Sequence, residues 1–401
     1  VGYGFSEAGS QVTQVAIAWQ LWLLTHSALS LGLVGLFRFL PILIMALFGG
    51  VVADAVDRRR LMIVAQLALA ANSVALAVLT FEGRATPAAL YAFAFVAGLA
   101  KSFDNPARQA LLPNLVPPDE LPNALSLNAT VWQIATVLGP SLGGALVAVR
   151  GPGLAYAIDA ASFAALAFAA FSIRYRPTQA PPKGALSLRA IVDGLRFVAA
   201  SPIISWLMGL DFIATLFAGS MMLMPIYADK LLGVGAKGLG LLYSAPAVGA
   251  LAAALVMAGR RPVRRQGPVV LASVAAYGLA IALFGFSRDF PLSLLCLAAS
   301  GAADTVSMIQ RQTIRQLLTP DTLRGRMTSI NMVFYMGGPQ LGELEAGVVA
   351  KALGPTFSVV SGGLACVVAA LGFALWVPSL RKLRDTTQVA EPPVAPTPLP
   401  E

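Results

Sequence analysis

Histidine occurs once and cysteine twice in the 401 residues, and aspartate and glutamate together number only 19. His26 stands alone, and Cys296 and Cys366 lie in separate apolar runs. These types cannot assemble a metal site or a disulfide framework, so the cysteines read as reduced core residues. No Gly-x-x-x-x-Gly-Lys stretch is present, which excludes ATP hydrolysis on a phosphate-binding loop. No enzyme, metal or cofactor is expected. Charged residues are 12% of the chain, about half the usual globular fraction. Hydrophobic residues are 57%, with a mean hydropathy of +0.75. A water-soluble chain of this length could not hide that much apolar surface, so a polytopic membrane protein is expected. The net charge of +9 suits nucleic acid at first sight. The basic residues recur, however, in short clusters between apolar segments, which is the pattern of membrane topology, and no nucleic-acid partner is expected.

Segments long enough to cross a bilayer recur twelve times, at roughly 3–24, 28–53, 60–81, 87–112, 121–149, 153–173, 203–228, 237–259, 267–287, 290–318, 322–350 and 354–377. An even number places both termini on one side. With Arg58–Arg60 assigned to the cytoplasm, 20 of the 28 Lys and Arg lie on or near that side. The opposite loops hold six, namely Arg84, Arg150, Lys230, Lys237, Arg288 and Lys351, so both termini are expected inside. The chain opens without Met in Val1-Gly2-Tyr3-Gly4-Phe5, and residues preceding Val1 are expected.

The one long break follows Arg174, with three prolines between Tyr175 and Pro182. Leu188, Ile191, Val192, Leu195 and Val198 then recur at helical spacing, which predicts an amphipathic helix on the inner membrane surface. Residues 1–174 and 203–378 are thus expected to form two six-helix bundles, with 175–202 a cytoplasmic linker and 379–401 a disordered tail. The halves repeat at an offset near two hundred residues. Arg108-Gln109-Ala110 returns as Arg311-Gln312-Thr313, Gly139-Pro140-Ser141-Leu142-Gly143 as Gly338-Pro339-Gln340-Leu341-Gly342, and Gly151-Pro152 as Gly354-Pro355.

Between the second and third segments lies Gly49-Gly50-Val51-Val52-Ala53-Asp54-Ala55-Val56-Asp57-Arg58-Arg59-Arg60, read as a tight charged hinge in which Asp54 can cap the next helix. Its order resembles the Gly-x-x-x-Asp-Arg-x-Gly-Arg-Arg loop of the major facilitator superfamily. Gly50, Asp54, Arg58 and Arg59 match, whereas Ala55 and Asp57 replace the family's Arg and Gly. Gly139-Pro140-Ser141-Leu142-Gly143-Gly144 resembles the fifth-helix motif of the superfamily's antiporters, where proline bends the helix and glycines allow close packing. An ordinary kinked helix is the plainer alternative. Phe103-Asp104-Asn105-Pro106-Ala107-Arg108 and Gly338-Pro339-Gln340-Leu341-Gly342-Glu343 add likeness to the bacterial exporter subfamily of enterobactin-type siderophore exporters and macrolide efflux proteins.

The resemblance implies an all-α membrane protein, the major facilitator fold, with twelve transmembrane helices in two pseudo-symmetric six-helix bundles and a substrate path between them. It implies a cytoplasmic latch in which Asp54 pairs with Arg108. It implies a monomeric secondary exporter of drug- or siderophore-class molecules in the bacterial cytoplasmic membrane, embedded in lipid and driven by proton antiport. A facilitator-fold importer or lysophospholipid flippase is the alternative, and a transport-inactive sensor or scaffold is one of another class.

Charged residues inside apolar spans are costly and therefore functional candidates. Lys101, Asp104 and Arg108 share one face of the fourth segment, and Asp304, Ser307 and Arg311 share one face of the tenth. Glu7 and Asp211 form an approximate pair in the first and seventh. Arg38, Asp159, Glu343 and Glu345 complete the set. The repeat aligns Lys101 with Asp304, and a pair between them across a central cavity is expected, leaving Asp104 or Glu7 to carry the proton. Met221, Met222 and Met224 read as core.

Overall fold

The computed structural model describes residues 2–55, 58–111, 116, 117, 119–172, 196–260, 263–320 and 324–383. One half comprises α1 Gly2–Thr25, α2 Ala28–Ala55, α3 Arg58–Phe81, α4 Pro87–Leu111, α5 Leu121–Arg150 and α6 Pro152–Ser172. The other comprises α7 Pro202–Phe217, α8 Gly235–Ala258, α9 Gln266–Phe286, α10 Phe290–Leu318, α11 Arg324–Leu353 and α12 Pro355–Trp376, followed by a short α13, Pro378–Arg381. No strand occurs among the described residues. Residues 196–200 of the expected surface helix are helical; Leu188 to Leu195 lie outside the described residues, as does the chain beyond 383.

Local chemistry sets several boundaries. α4, α6, α7 and α12 each begin at proline, whose missing N–H costs nothing at a helix start. The repeated Gly-Pro pair is a hairpin device. Gly151 (φ +75°) ends α5 and Gly354 (φ +92°) ends α11, a conformation that a side chain would strain, and the next residue starts the following helix.

Two expectations are corrected. α2 continues through Gly49, Gly50 and Asp54 to Ala55, so most of the expected hinge is helical and Asp54 belongs to the last turn of α2, with α3 starting at Arg58. The seventh span does not run as one helix from 203 to 228. α7 stops at Phe217, and Met221–Leu223 (3₁₀), Met224–Ile226 (α) and Tyr227–Leu231 (π) continue it. Pro225 lacks the N–H that would bond back to Met221, and at Gly219 a Cβ would stand 2.6 Å from the Thr215 carbonyl.

Every main packing in one half has a counterpart in the other. α1 packs on α5 and α6 as α7 does on α11 and α12, α2 on α4 as α8 on α10, and α3 on α4 and α6 as α9 on α10 and α12. The halves join where α2 lies along α11 and α5 along α8. These four helices each carry one internal proline, Pro41, Pro140, Pro246 and Pro339. Gly98 of α4 packs under Pro41, and Gly301 of α10 under Pro246.

The bundle has a terminal end, where α1 starts and α12 stops, and an opposite, far end. The largest apolar cluster joins the halves toward the far end, with Trp22, Leu31, Leu90 and Tyr156 against Tyr227, Leu239, Phe284 and Val359. There Trp22 Nε1 donates to Asp229 Oδ2 across the halves at 2.9 Å, and Lys230 Nζ lies 5.1 Å from the Trp22 ring centre. Met222 and Met224 are buried core, and both cysteines are buried and free. Among the described residues, eight helices are long and apolar enough to cross a membrane: α3, α5 to α10 and α12, α7 being counted with its continuation. α1, which carries Glu7, α4, which carries Lys101, Asp104 and Arg108, and α11, which carries Glu343 and Glu345, pack among these helices. Outward faces expose Phe168, Phe171, Leu255, Leu295, Val368 and Trp376, as a lipid-facing surface requires.

Candidate functional site

Helical spacing brings Lys101, Asp104 and Arg108 to one face of α4, and burial forces each to find partners. Asp104 is buried; Gln66 Nε2 of α3 donates to its Oδ1 at 2.8 Å, and Arg108 Nε lies 3.8 Å from its Oδ2. The Arg108 guanidinium also sits 3.6 Å over the Tyr3 ring of α1. Next to them, Gln11 Nε2 donates to Glu7 Oε1 at 3.3 Å. Asp159 of α6 accepts from Ser73 Oγ at 2.8 Å and fits because Gly9 faces it, where a Cβ would stand 2.8 Å from its Oδ1. Lys101 lies within electrostatic reach of both Asp104 and Asp159.

The second cluster lies on α10. Arg311 Nη2 is 2.7 Å from Asp211 Oδ1 of α7 and 3.8 Å from Asp304 Oδ1. Arg311 and Asp211 are almost fully buried, whereas the Asp304 side chain is 47% accessible at the midpoint of α10. Asp304 thus keeps about half of its side chain accessible although it lies beside a buried arginine at that depth. One turn on, Arg315 donates to Asn331 Oδ1 of α11.

The structure therefore collects the predicted residues into two groups, Glu7, Lys101, Asp104 and Arg108 in one half and Asp211, Asp304 and Arg311 in the other. No ion pair joins Lys101 to Asp304 among the described residues; each meets opposite charge within its own half. On the hinge, the side chains of Gly50, Asp54 and Arg58 lie outside the described residues. Arg59 donates to the Ala170 and Phe171 carbonyls, closing the C-terminus of α6.

The α5 motif divides its work. A Cβ on Gly139 would stand 2.6 Å from Gln11 Cβ, and one on Gly143 2.9 Å from Val12 Cα, both on α1. Gly144 faces the other half, where a Cβ would stand 2.7 Å from Gly240 Cα on α8. Beside it, the Ser141 and Ser244 hydroxyls are 2.8 Å apart.

Sequence reading missed the Arg311–Asp211 pair, although Arg311 is the repeat counterpart of Arg108. It also missed a polar ladder on α3. Gln66, Ser73 and Thr80 recur every seven residues and serve Asp104, Asp159 and Gln20 in turn. Tyr156 donates to that Gln20 at 2.8 Å. The heptad spacing of three polar residues in an apolar helix was the available signal.

Comparison with known proteins bears on the family and the fold. The enterobactin exporters EntS of Shigella boydii serotype 18 and of Escherichia coli O81 are each 26% identical over 372 residues, covering 93% of this chain and 89% of theirs. The fold matches an inward-facing, occupied bacterial homologue of the human lysosomal transporter Spinster (TM-score 0.74, 15% identity, 93% of this chain and 94% of that one). It also matches an inward-facing bacterial homologue of the iron transporter ferroportin (TM-score 0.72, 16% identity, 93% and 97%). A family described as transmembrane secretion effector matches residues 3–399, and the chain belongs to that branch of the major facilitator superfamily, multi-pass secondary transporters that export small molecules.

Proposed function

We propose that the protein exports siderophore- or drug-class organic molecules across a bacterial inner membrane by proton antiport, as a lipid-embedded monomer with both termini in the cytoplasm. The observation that carries this reading is the pair of repeat-related charge clusters on α4 and α10, with Asp304 open to solvent at mid-helix. A charge at the bilayer centre costs about 2.5–3.5 kcal/mol even on insertion scales, and a scaffold would gain nothing from several. A pathway that must pass protons and polar cargo does. The likeness to enterobactin exporters and the close packing of the α5 glycines support outward transport. In this reading, residues 1–174 and 203–378 rock about the α2–α11 and α5–α8 contacts and 175–202 tethers them. The expected tail from 379 is corrected at its start, where Leu380 is buried and the Leu383 carbonyl accepts from the Gly267 N–H, so a free tail begins only beyond 383. The carrier is Asp104 or Glu7 in one half, or Asp304 in the other, and Asp54 with Arg108 latches the terminal end.

Everted membrane vesicles from expressing cells test this, with enterobactin as the probe. Proton-gradient-driven uptake that a protonophore abolishes is expected. Lipid translocation without enterobactin uptake would indicate a flippase. Vesicles that move neither enterobactin nor common antibiotics would overturn the reading.

A further inference from the structure

The two contacts that join the halves are related by the repeat, yet chemically unequal. On α5, Gly144 meets Gly240 of α8, backbone against backbone. The repeat counterpart of Gly144 on α11 is Glu343, following Gly338-Pro339-Gln340-Leu341-Gly342. It packs on the Gly32 and Gly35 face of α2. A Cβ on Gly35 would stand 2.7 Å from Glu343 Cβ and 2.9 Å from its Oε2, and one on Gly32 would stand 2.7 Å from the Glu343 carbonyl. A carboxylate thus stands in the close crossing of α2 and α11 at the position where α5 presents Gly144 to α8.

Glu343 is 7% exposed, and its Oε2 has no hydrogen-bond partner among the described residues. Two ionisable groups face it. Arg38, one turn beyond Gly35 on α2, is within electrostatic reach, but no N···O contact within 4.0 Å joins them among the described residues. Tyr243 of α8 is the other, and its hydroxyl contacts the Met222 sulphur at 3.9 Å. On α7, which also packs on α11, Asp211 is engaged by Arg311 instead. An ionised carboxylate held dry without a direct partner is strongly disfavoured, whereas a neutral carboxylic acid is tolerated there. The closed crossing therefore suits a protonated Glu343. Once ionised, the group needs either water, which requires α2 and α11 to part, or direct pairing with Arg38.

We propose that Glu343 binds a proton at the α2–α11 crossing, and that its charge state sets whether the two halves lie closed or parted there. The inference rests on the proton-antiport reading and adds to it a site between the halves, apart from the clusters on α4 and α10. Protonation closes the far end around the crossing; loss of the proton opens it. That order suits an exporter, in which a proton taken up at the far side drives the return to the state open at the terminal end.

Spin labels at Glu82→Cys and Lys351→Cys, exposed at the far ends of opposite halves, report the separation by pulsed dipolar spectroscopy in nanodiscs. Raising the pH from mildly acidic to mildly alkaline is expected to shift the wild-type distances to longer values. Glu343→Gln should hold the short distance at every pH, and Glu343→Asp should restore the shift. Arg38→Gln should move the midpoint up by about one pH unit, because the cation that favours the ionised form is gone. Infrared difference spectra should lose a protonated-carboxyl band in Glu343→Gln. A wild type without a shift, or a Glu343→Gln protein that still shifts, overturns the proposal. If Glu343→Gln does not fold, the Arg38→Gln midpoint decides, and an unchanged midpoint is fatal. Failure of proton-driven enterobactin transport by the wild type would instead sink the exporter reading, since the distance measurement uses no cargo.

Discussion

Arg311 is held by two carboxylates of different character: Asp211, buried in direct contact, and Asp304, farther off and open to solvent. Their removal should separate stability from transport. Asp211→Asn leaves a buried guanidinium without its contact partner, a change that costs about 3–5 kcal/mol when a buried pair is broken. Asp304→Asn removes a half-solvated charge and should cost far less. Thermal unfolding in detergent is expected to show a large drop in Tm for Asp211→Asn and a small one for Asp304→Asn, with transport lost in both. Equal drops would mean that Asp304 is as structural as Asp211. At this scale the sequence revealed the charges but not their partners. Lys101 and Asp304 align in the repeat, yet Asp304 pairs with Arg311 and Lys101 has Asp104 and Asp159 within electrostatic reach, each in its own half.

Helix α5 shows how one motif serves two contacts. Gly139 and Gly143 seat it on α1 inside one half, and Gly144 seats it on α8 of the other. Leucine at position 143 forces α5 off Val12 within a folding unit, and overpacking of this kind typically costs about 1–3 kcal/mol. Gly143→Leu should therefore lower yield and Tm. Gly144→Leu should leave each half folded but bar their close approach, so transport is lost with Tm nearly unchanged. Size-exclusion profiles and Tm, read beside vesicle uptake, distinguish the two; a fully active Gly144→Leu protein would remove the interface role. The motif itself was legible, since glycine spacing marks a flat face. Which glycine faces which helix was not, because both neighbours are apolar and only the crossing geometry selects between them.

Across the whole molecule, the halves must move against each other at α2–α11 and α5–α8. The Ser141 and Ser244 hydroxyls, 2.8 Å apart in the second of these, offer a lock. A Ser141→Cys/Ser244→Cys protein should lose transport on oxidation and regain it with reductant. Unimpeded transport by the oxidised, fully cross-linked protein would show that α5 and α8 need not separate. The terminal end makes a second demand. If Asp54 latches it with Arg108, Asp54→Asn should reduce transport severalfold with near-normal expression, and wild-type turnover in that variant would remove the latch.

The amino-acid sequence by itself determined the membrane class, the helical fold, the duplicated halves and the identity of the buried charges. Each follows from local chemistry or from repetition: apolar length, proline and glycine at helix ends, and the cost of charge in an apolar run. Tertiary structure alone decided the partnerships. It continued α2 through Asp54, broke the seventh span at Gly219 and Pro225, gave Arg311 to Asp211, and set Glu343 where the repeat has glycine against glycine. Periodicity tells which face a residue occupies, but not which of several apolar helices covers that face. That choice belongs to the packing of the helices together, where small residues allow backbones to meet and buried polar groups gain most from a partner nearby.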